Sequence, residues 1–217
     1  MYKHILFDLD GTLTDPAEGI TNSVKYALRK AGYPIPDAQT LLRFIGPPLD
    51  ESFRKFCAMP EALSLKCIAY YREYFAAGGM FENAVIPGIP ELLETLRGAG
   101  YHLHLATAKP EIYAVQILQH FGLYDFFEFI GAATLDKTRY CKEAVVAYVL
   151  ESLGITDKHE CVLVGDREND VQGALTNGID CIGVLFGYGS AQELQSAGAA
   201  ALAKTPAQVA EIVKKGA

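Results

Sequence analysis

His4-Ile5-Leu6-Phe7-Asp8-Leu9-Asp10-Gly11-Thr12-Leu13-Thr14-Asp15 is the stretch on which the reading of this chain turns. An apolar run passes straight into two carboxylates spaced i, i+2 and then into Gly-Thr, the pattern of a buried parallel strand that ends in a functional loop. Alternate residues of an extended segment point the same way, so Asp8 and Asp10 are expected to converge on one small volume. Carboxylates that close repel unless a cation or a shared proton offsets them. A hard divalent ion such as Mg²⁺, which prefers oxygen ligands, is the natural partner. Taken alone, two such acids are equally an Asx turn after a strand.

Working outward, the 217 residues are half hydrophobic and 21% charged, enough for one sizeable core and a smaller second one. Nineteen Lys and Arg against 26 Asp and Glu leave a net charge of −7, so a nucleic-acid backbone is a poor partner. An anionic substrate must therefore meet local positive charge. Cys57, Cys67, Cys141, Cys161 and Cys181 form no CxxC pair, and this odd, scattered set points to reduced thiols in the cytoplasm. No apolar run reaches membrane-spanning length and the N-terminus enters a strand directly, so neither a membrane span nor a signal peptide is expected.

After Asp15 the pattern turns helical. Ile20, Val24, Ala27 and Leu28 share one helical face, Gly32-Tyr33-Pro34 stops that helix, and helical periodicity resumes from Asp37 to about Ala77 with breaks at Gly46-Pro47-Pro48 and Pro60. Roughly sixty residues of helix behind the first strand read as a separate small domain with two crossings. From Pro90 the chain alternates: helix to Gly98, strand 101–107, helix 110–121, strand 126–131, helix 140–153, strand 161–165, helix 169–177, strand 181–185 and a last helix near 206–214. Such alternation implies a doubly wound parallel sheet with helices on both faces, which binds ligands beyond the carboxyl ends of its strands.

Three further places carry polar residues at those ends. Strand 101–107 stops at Thr107, whose hydroxyl, with the backbone near Ala108, could hold phosphate oxygens or simply cap the next helix. Cys161-Val162-Leu163-Val164 breaks into Gly165-Asp166, and Asp170 follows at a helix start, where the dipole favours a carboxylate. Between them Lys137 and Lys142 are the candidate cations. His102 and His104 share a strand face upstream of the active edge and are read as structural.

FDLDGTLTD closely resembles motif I of the haloacid dehalogenase superfamily, whose members are mostly Mg²⁺-dependent phosphatases working through an aspartyl-phosphate. Thr107 matches the position of motif II, Lys142 heads Lys-Glu-Ala-Val-Val-Ala-Tyr-Val-Leu like the Lys-led helix of motif III, and GDREND is similar to motif IV, GDxxxD. The resemblance implies an α/β, Rossmann-like core (1–15 and 84–217) with a small inserted helical cap (16–83). It implies Asp8 as nucleophile, Asp10 as general acid and base, Thr107 and Lys142 at the phosphoryl group, and Gly11, Thr12, Ala108 and Lys109 completing the phosphate cradle. Mg²⁺ would be held by Asp8, the Asp10 backbone carbonyl and Asp166, with Asp170 ligating or just behind. Asp10 itself speaks for a phosphatase or phosphomutase, since dehalogenases of the superfamily lack that second acid.

In capped members the cap sets the substrate. Here Phe44-Ile45-Gly46-Pro47-Pro48-Leu49 is the candidate loop, Gly46 allowing close backbone approach, although a plain helix-to-helix turn fits as well. The whole chain resembles the subfamily of phosphoglycolate phosphatases, pyrophosphatases, 5'-nucleotidase-like proteins and β-phosphoglucomutases, and FIGPPL with LDKTR resembles the nucleotidase-like branch most. The expectation is a Mg²⁺-dependent monoesterase for a small phosphorylated metabolite, phosphoglycolate or a nucleoside 5'-monophosphate, acting as monomer or homodimer. A phosphomutase, a pyrophosphatase and a non-catalytic phosphate-binding protein are the alternatives.

Overall fold

Ile5, Leu6 and Phe7 are all fully buried, and the strand they build, β1 (His4–Phe7), lies inside a six-stranded sheet. The computed structural model describes residues 1–216. Behind β1 come β2 (Thr14–Asp15), the helices α1 (Ala17–Lys30), α2 (Ala38–Leu42), α3 (Leu49–Cys57) and α4 (Glu61–Ala76), and β3 (Ala84–Val85). The chain then alternates through α5 (Ile89–Gly98), β4 (His102–Pro110), α6 (Glu111–His120), β5 (Phe129–Ala133), α7 (Lys142–Ser152), β6 (Cys161–Gly165), α8 (Glu168–Thr176), β7 (Asp180–Val184), α9 (Ala191–Ala197), β8 (Ala201–Ala203) and α10 (Pro206–Lys215).

Strand order in the large sheet is β5-β4-β1-β6-β7-β8, every pairing parallel. The chain runs from β1 to one edge, returns, and continues from β6 to the other, so the switch point flanks β1. Phe7 pairs with Leu105 on one side and Val164 on the other, which brings the carboxyl ends of β1 and β6 level while β4 runs on beside them to Pro110. Asp8 follows immediately, its N–H donating to Val164 O at 2.9 Å.

One face of the sheet is sealed by α7 and α8, where Leu6, Ala106, Leu163 and Cys181 cluster with Val145, Val146, Val149, Val171 and Ala174. Burying each larger aliphatic side chain there contributes about 1.5–3 kcal/mol. A Cβ on Gly131 would lie 2.1 Å from Val149 Cγ2, so α7 rests directly on β5 because residue 131 has no side chain. Phe7 meets Phe127 edge to face at 6.3 Å.

The chain divides into two compact units, Met1–Asp15 with Val85–Ala217, and Pro16–Ala84. The expected second crossing falls between 83 and 84; the observed one falls a residue later, inside β3. In the helical unit α1 packs on α4. Phe44, fully interior, stacks edge to face on Phe53 at 5.1 Å and Phe56 at 5.4 Å.

Several elements depart from the expectation. The sheet has six strands instead of the five read from sequence, because β8 is a three-residue Ala-Leu-Ala strand without the β-branched or aromatic residues that signal one. The helix before it, α9, was likewise not anticipated. Strand β5 also starts later than residue 126, since Tyr124–Phe126 turn as a 3₁₀ segment.

Candidate active site

Lys142 is the point at which the end of β1, strand β4 and helix α8 meet. Its Nζ lies 2.7 Å from Asp8 Oδ1, 2.8 Å from Asp170 Oδ1, and donates to Ala106 O at 2.8 Å. Three ammonium hydrogens thus have three acceptors, drawn from the end of β1, from α8 and from β4. A lysine in the first turn of a helix opposes the helix dipole, and these contacts offset that cost. A Cβ on Gly173 would fall 2.5 Å from Lys142 Cγ, so α8 leaves room for the lysine stem by having no side chain there. Lys137, the other candidate cation, is exposed in the turn before α7 at φ +63°.

Asp166 follows β6 and is fully buried. Its Oδ2 accepts the Tyr188 backbone N–H at 2.7 Å and its Oδ1 accepts Thr12 Oγ1–H at 3.4 Å. Glycine surrounds it: a Cβ on Gly11, at φ +82°, would sit 2.3 Å from Asp166 Oδ2, and one on Gly187 2.4 Å from Asp166 Cβ. Asp170 does two jobs, its Oδ2 accepting the Arg167 N–H at 3.0 Å at the start of α8 while Oδ1 takes Lys142. Asp8, Asp166 and Asp170 each place a carboxylate oxygen within 4.8 Å of the others.

Asp10 stands outside that cluster. Its Oδ2 pairs with Lys109 Nζ at 2.7 Å, and its Oδ1 is buried with no hydrogen-bond partner among the described residues. Thr107 and Lys109 are both buried on β4, where pairing with β5 slips between Thr107 and Pro110, and the Lys109 N–H donates to Thr107 Oγ1 at 3.2 Å. Ala108 lies between them. Gly11 and Thr12 lie in the loop after β1, which is closed by Gly11 N–H to Thr14 O at 2.7 Å and Leu13 N–H to Leu9 O at 2.8 Å. Gly46 belongs to the helical unit, in the turn between α2 and α3 at φ +100°.

Burial, then repulsion from Asp170 and Asp8, raises the Asp166 carboxyl well above its ordinary range. Burial also raises Asp170, against the opposing pull of Lys142, and raises Asp10 against that of Lys109. For Lys142, burial works against the ammonium, but Asp170 and Asp8 outweigh it and hold its pKa above the usual lysine value. Asp8 and Asp170 share the one Lys142 ammonium with Asp166 beside them, so when all three are ionised the cluster carries two negative charges in excess. An all-oxygen donor set with that surplus fits a hard divalent cation such as Mg²⁺.

Sequence reasoning missed the far wall of the site. Tyr188, in Phe186-Gly187-Tyr188-Gly189-Ser190, holds Asp166 through its backbone and hydrogen-bonds Asp15 through its hydroxyl. Glu193 accepts from Arg167 Nε at 2.8 Å and from the Glu168 N–H at 3.0 Å, fixing the loop that carries Asp166. The signal was present: two glycines directly after a strand end mark close backbone approach.

Residues 5–184 match the family model of the haloacid dehalogenase-like hydrolases. A 5'-nucleotidase of Pseudomonas aeruginosa is 47% identical over 195 residues, 90% of this chain and 88% of that protein. The tyrosine-protein kinase PtkA of Mycobacterium tuberculosis is 41% identical over 187 residues, 86% of this chain and 63% of that protein. The crystal structure of a predicted phosphatase from Clostridium acetobutylicum superposes with a TM-score of 0.95 at 45% identity, covering 99% of each chain. With the family model running from the first strand through β7, across every strand that carries the acidic cluster, this chain belongs to the haloacid dehalogenase-like hydrolases.

Proposed function

We propose that this hydrolase is a Mg²⁺-dependent phosphomonoesterase that works through an aspartyl-phosphate on Asp8. The observation that carries the reading is the buried trio Asp8, Asp166 and Asp170, of which Asp8 and Asp170 share one lysine, beyond the carboxyl ends of β1 and β6. Asp8, Asp166 and Asp170 would hold the ion, with the Asp10 backbone carbonyl, and the ion would supply charge that lets a carboxylate approach a phosphate anion. Lys142 holds Asp8 Oδ1 in place and leaves Oδ2 to attack phosphorus. Asp10 gives the leaving oxygen its proton and later takes one from water, a contribution of about 10²–10⁴-fold. Thr107, Ala108, Gly11 and Thr12 are assigned to the phosphoryl oxygens, and substrate choice to the helical unit and its Gly46 turn.

Within the monoesters we favour a nucleoside 5'-monophosphate over phosphoglycolate, supported by the 47% identity to a protein named 5'-nucleotidase. The five cysteines, all free thiols, support work in the reducing cytoplasm. No helix among the described residues is long and apolar enough to cross a membrane. The test is phosphate release from nucleoside 5'-monophosphates, phosphoglycolate, sugar phosphates, pyrophosphate and p-nitrophenyl phosphate, each with Mg²⁺ and with EDTA. Metal-dependent release led by the nucleotides supports the reading; release from none contradicts it. The relative named a tyrosine kinase favours a second reading, transfer of the terminal phosphoryl group of a nucleoside triphosphate to a tyrosine hydroxyl with the diphosphate leaving, which would appear as phosphotyrosine without matching phosphate release.

A further inference from the structure

The pair Lys109–Asp10 is separate from the carboxylate cluster and built differently. Its ammonium and carboxylate meet at 2.7 Å with both side chains largely shielded, 6% and 13% exposed. Lys109 is held at both ends, by its side chain on Asp10 Oδ2 and by its own N–H on Thr107 Oγ1. Asp10 is held at one end only, since Oδ1 is buried without a partner among the described residues. A carboxylate clamped through one oxygen has lost its freedom to rotate, and the other oxygen keeps a fixed direction.

We infer that Lys109 is the positioning residue of Asp10, clamping Oδ2 so that Oδ1 is the oxygen that exchanges the proton. This rests on the phosphomonoesterase reading above. As the Asp8 oxygen bonds to phosphorus, the bond from phosphorus to the leaving alcohol breaks, its electron pair goes to the alcohol oxygen, and that oxygen takes the proton from Asp10 Oδ1. In the second half a water oxygen bonds to phosphorus and gives its proton to Oδ1, while the electron pair of the broken Asp8–phosphorus bond returns to the Asp8 carboxylate. The sequence reading placed Lys109 among the phosphate ligands. The structure engages its ammonium with Asp10 Oδ2.

The two roles separate by leaving group. Lys109→Met and Lys109→Arg are compared with wild type and Asp10→Asn on the alkyl phosphate that wild type hydrolyses fastest and on p-nitrophenyl phosphate, whose leaving group needs no proton. Lys109→Met is expected to lower kcat on the alkyl ester by about 10²-fold, as Asp10→Asn does, with KM nearly unchanged. The pre-steady-state burst of p-nitrophenolate stays within a few-fold of wild type, and Lys109→Arg recovers part of the lost kcat. An equal loss on both esters with raised KM makes Lys109 a phosphate ligand, and an equal loss with a lowered unfolding midpoint makes it merely structural; either overturns the inference. Wild type that releases phosphate alongside an unimpaired Lys109→Met overturns this inference alone, whereas wild type inactive on every ester overturns the phosphomonoesterase reading with it.

Discussion

The Lys142 ammonium lies 2.7 Å from Asp8 Oδ1, and the same nitrogen reaches Asp170 Oδ1 and Ala106 O. One side chain therefore ties β1, which leads into Asp8, to its neighbour β4 and to helix α8. Removing one partner from a buried charge pair leaves the other uncompensated, at about 3–5 kcal/mol. Lys142→Met is expected to lose at least about 10²-fold in kcat and stability of that order in metal-free buffer. Lys137→Met, changing an exposed turn, should leave both unchanged. Steady-state kinetics and urea unfolding of the two variants decide between the lysines.

On the proposed reading Asp8, Asp166 and Asp170 hold a divalent ion that only the folded chain, which brings the three together, can bind. A ligand that binds only the folded state at 100 times its Kd adds about 2.7 kcal/mol. Saturating Mg²⁺ should therefore raise the thermal midpoint relative to EDTA, and Asp166→Asn should remove most of that rise. An equal midpoint for wild type in both buffers would contradict the ion assignment.

Glycine at 187 keeps the wall behind Asp166 thin. An added Cβ would come within 2.3 Å of Gly11 O and 2.4 Å of Asp166 Cβ, both parts of the site with little room to move. Gly187→Ala is expected to cost about 1–3 kcal/mol and to weaken Mg²⁺ binding. Gly98→Ala, on α5 with nothing within 4 Å, should be neutral or stabilising by up to about 1 kcal/mol. Unfolding curves and Mg²⁺ titrations of both variants test the contrast.

His104 is buried at 1% exposure, stacked on His4 at 5.3 Å, with its Nδ1 unpartnered among the described residues. Burial, then the charges of His4 and His102, lowers its pKa from 6.5 to about 4. Between those values the unfolded chain binds more protons than the folded one, so this residue's share of stability is whole above about pH 6.5 and is lost as pH falls towards 4. At 1.36 kcal/mol per unit the loss is about 3 kcal/mol. His104→Leu should flatten the acid limb of the stability profile relative to wild type, leaving a smaller slope from His4, whose pKa burial also lowers. Identical limbs would show that His104 does not titrate in this window.

What could be read without coordinates follows the strength of the local pattern. The strand Ile5-Leu6-Phe7 and the strand Cys161-Val162-Leu163-Val164 are unbroken apolar runs leading into carboxylates, so both their burial and the convergence of their acidic ends were legible. Strand β8 was not, being short, alanine-rich and defined by its pairing with β7. Helix α9 carried a readable start, Ser190 with Glu193 three residues on. Ser190 does cap it, accepting the Glu193 N–H at 3.1 Å, but the Glu193 carboxylate turns to Arg167 and Glu168. The pairing of Lys109 with Asp10 and the backbone grip of Tyr188 on Asp166 join residues 99 and 22 positions apart, and no local pattern encodes them.

The central claim is that Asp8 carries the phosphoryl group. The direct measurement is a rapid acid quench of the Mg²⁺-loaded enzyme with a phosphoryl-labelled nucleoside 5'-monophosphate, followed by peptide mapping. Label on the peptide containing Asp8, appearing and decaying within a turnover and absent from Asp8→Asn, is the expected result. Phosphate release by wild type with no label on that peptide at any quench time, or undiminished release by Asp8→Asn, would contradict it.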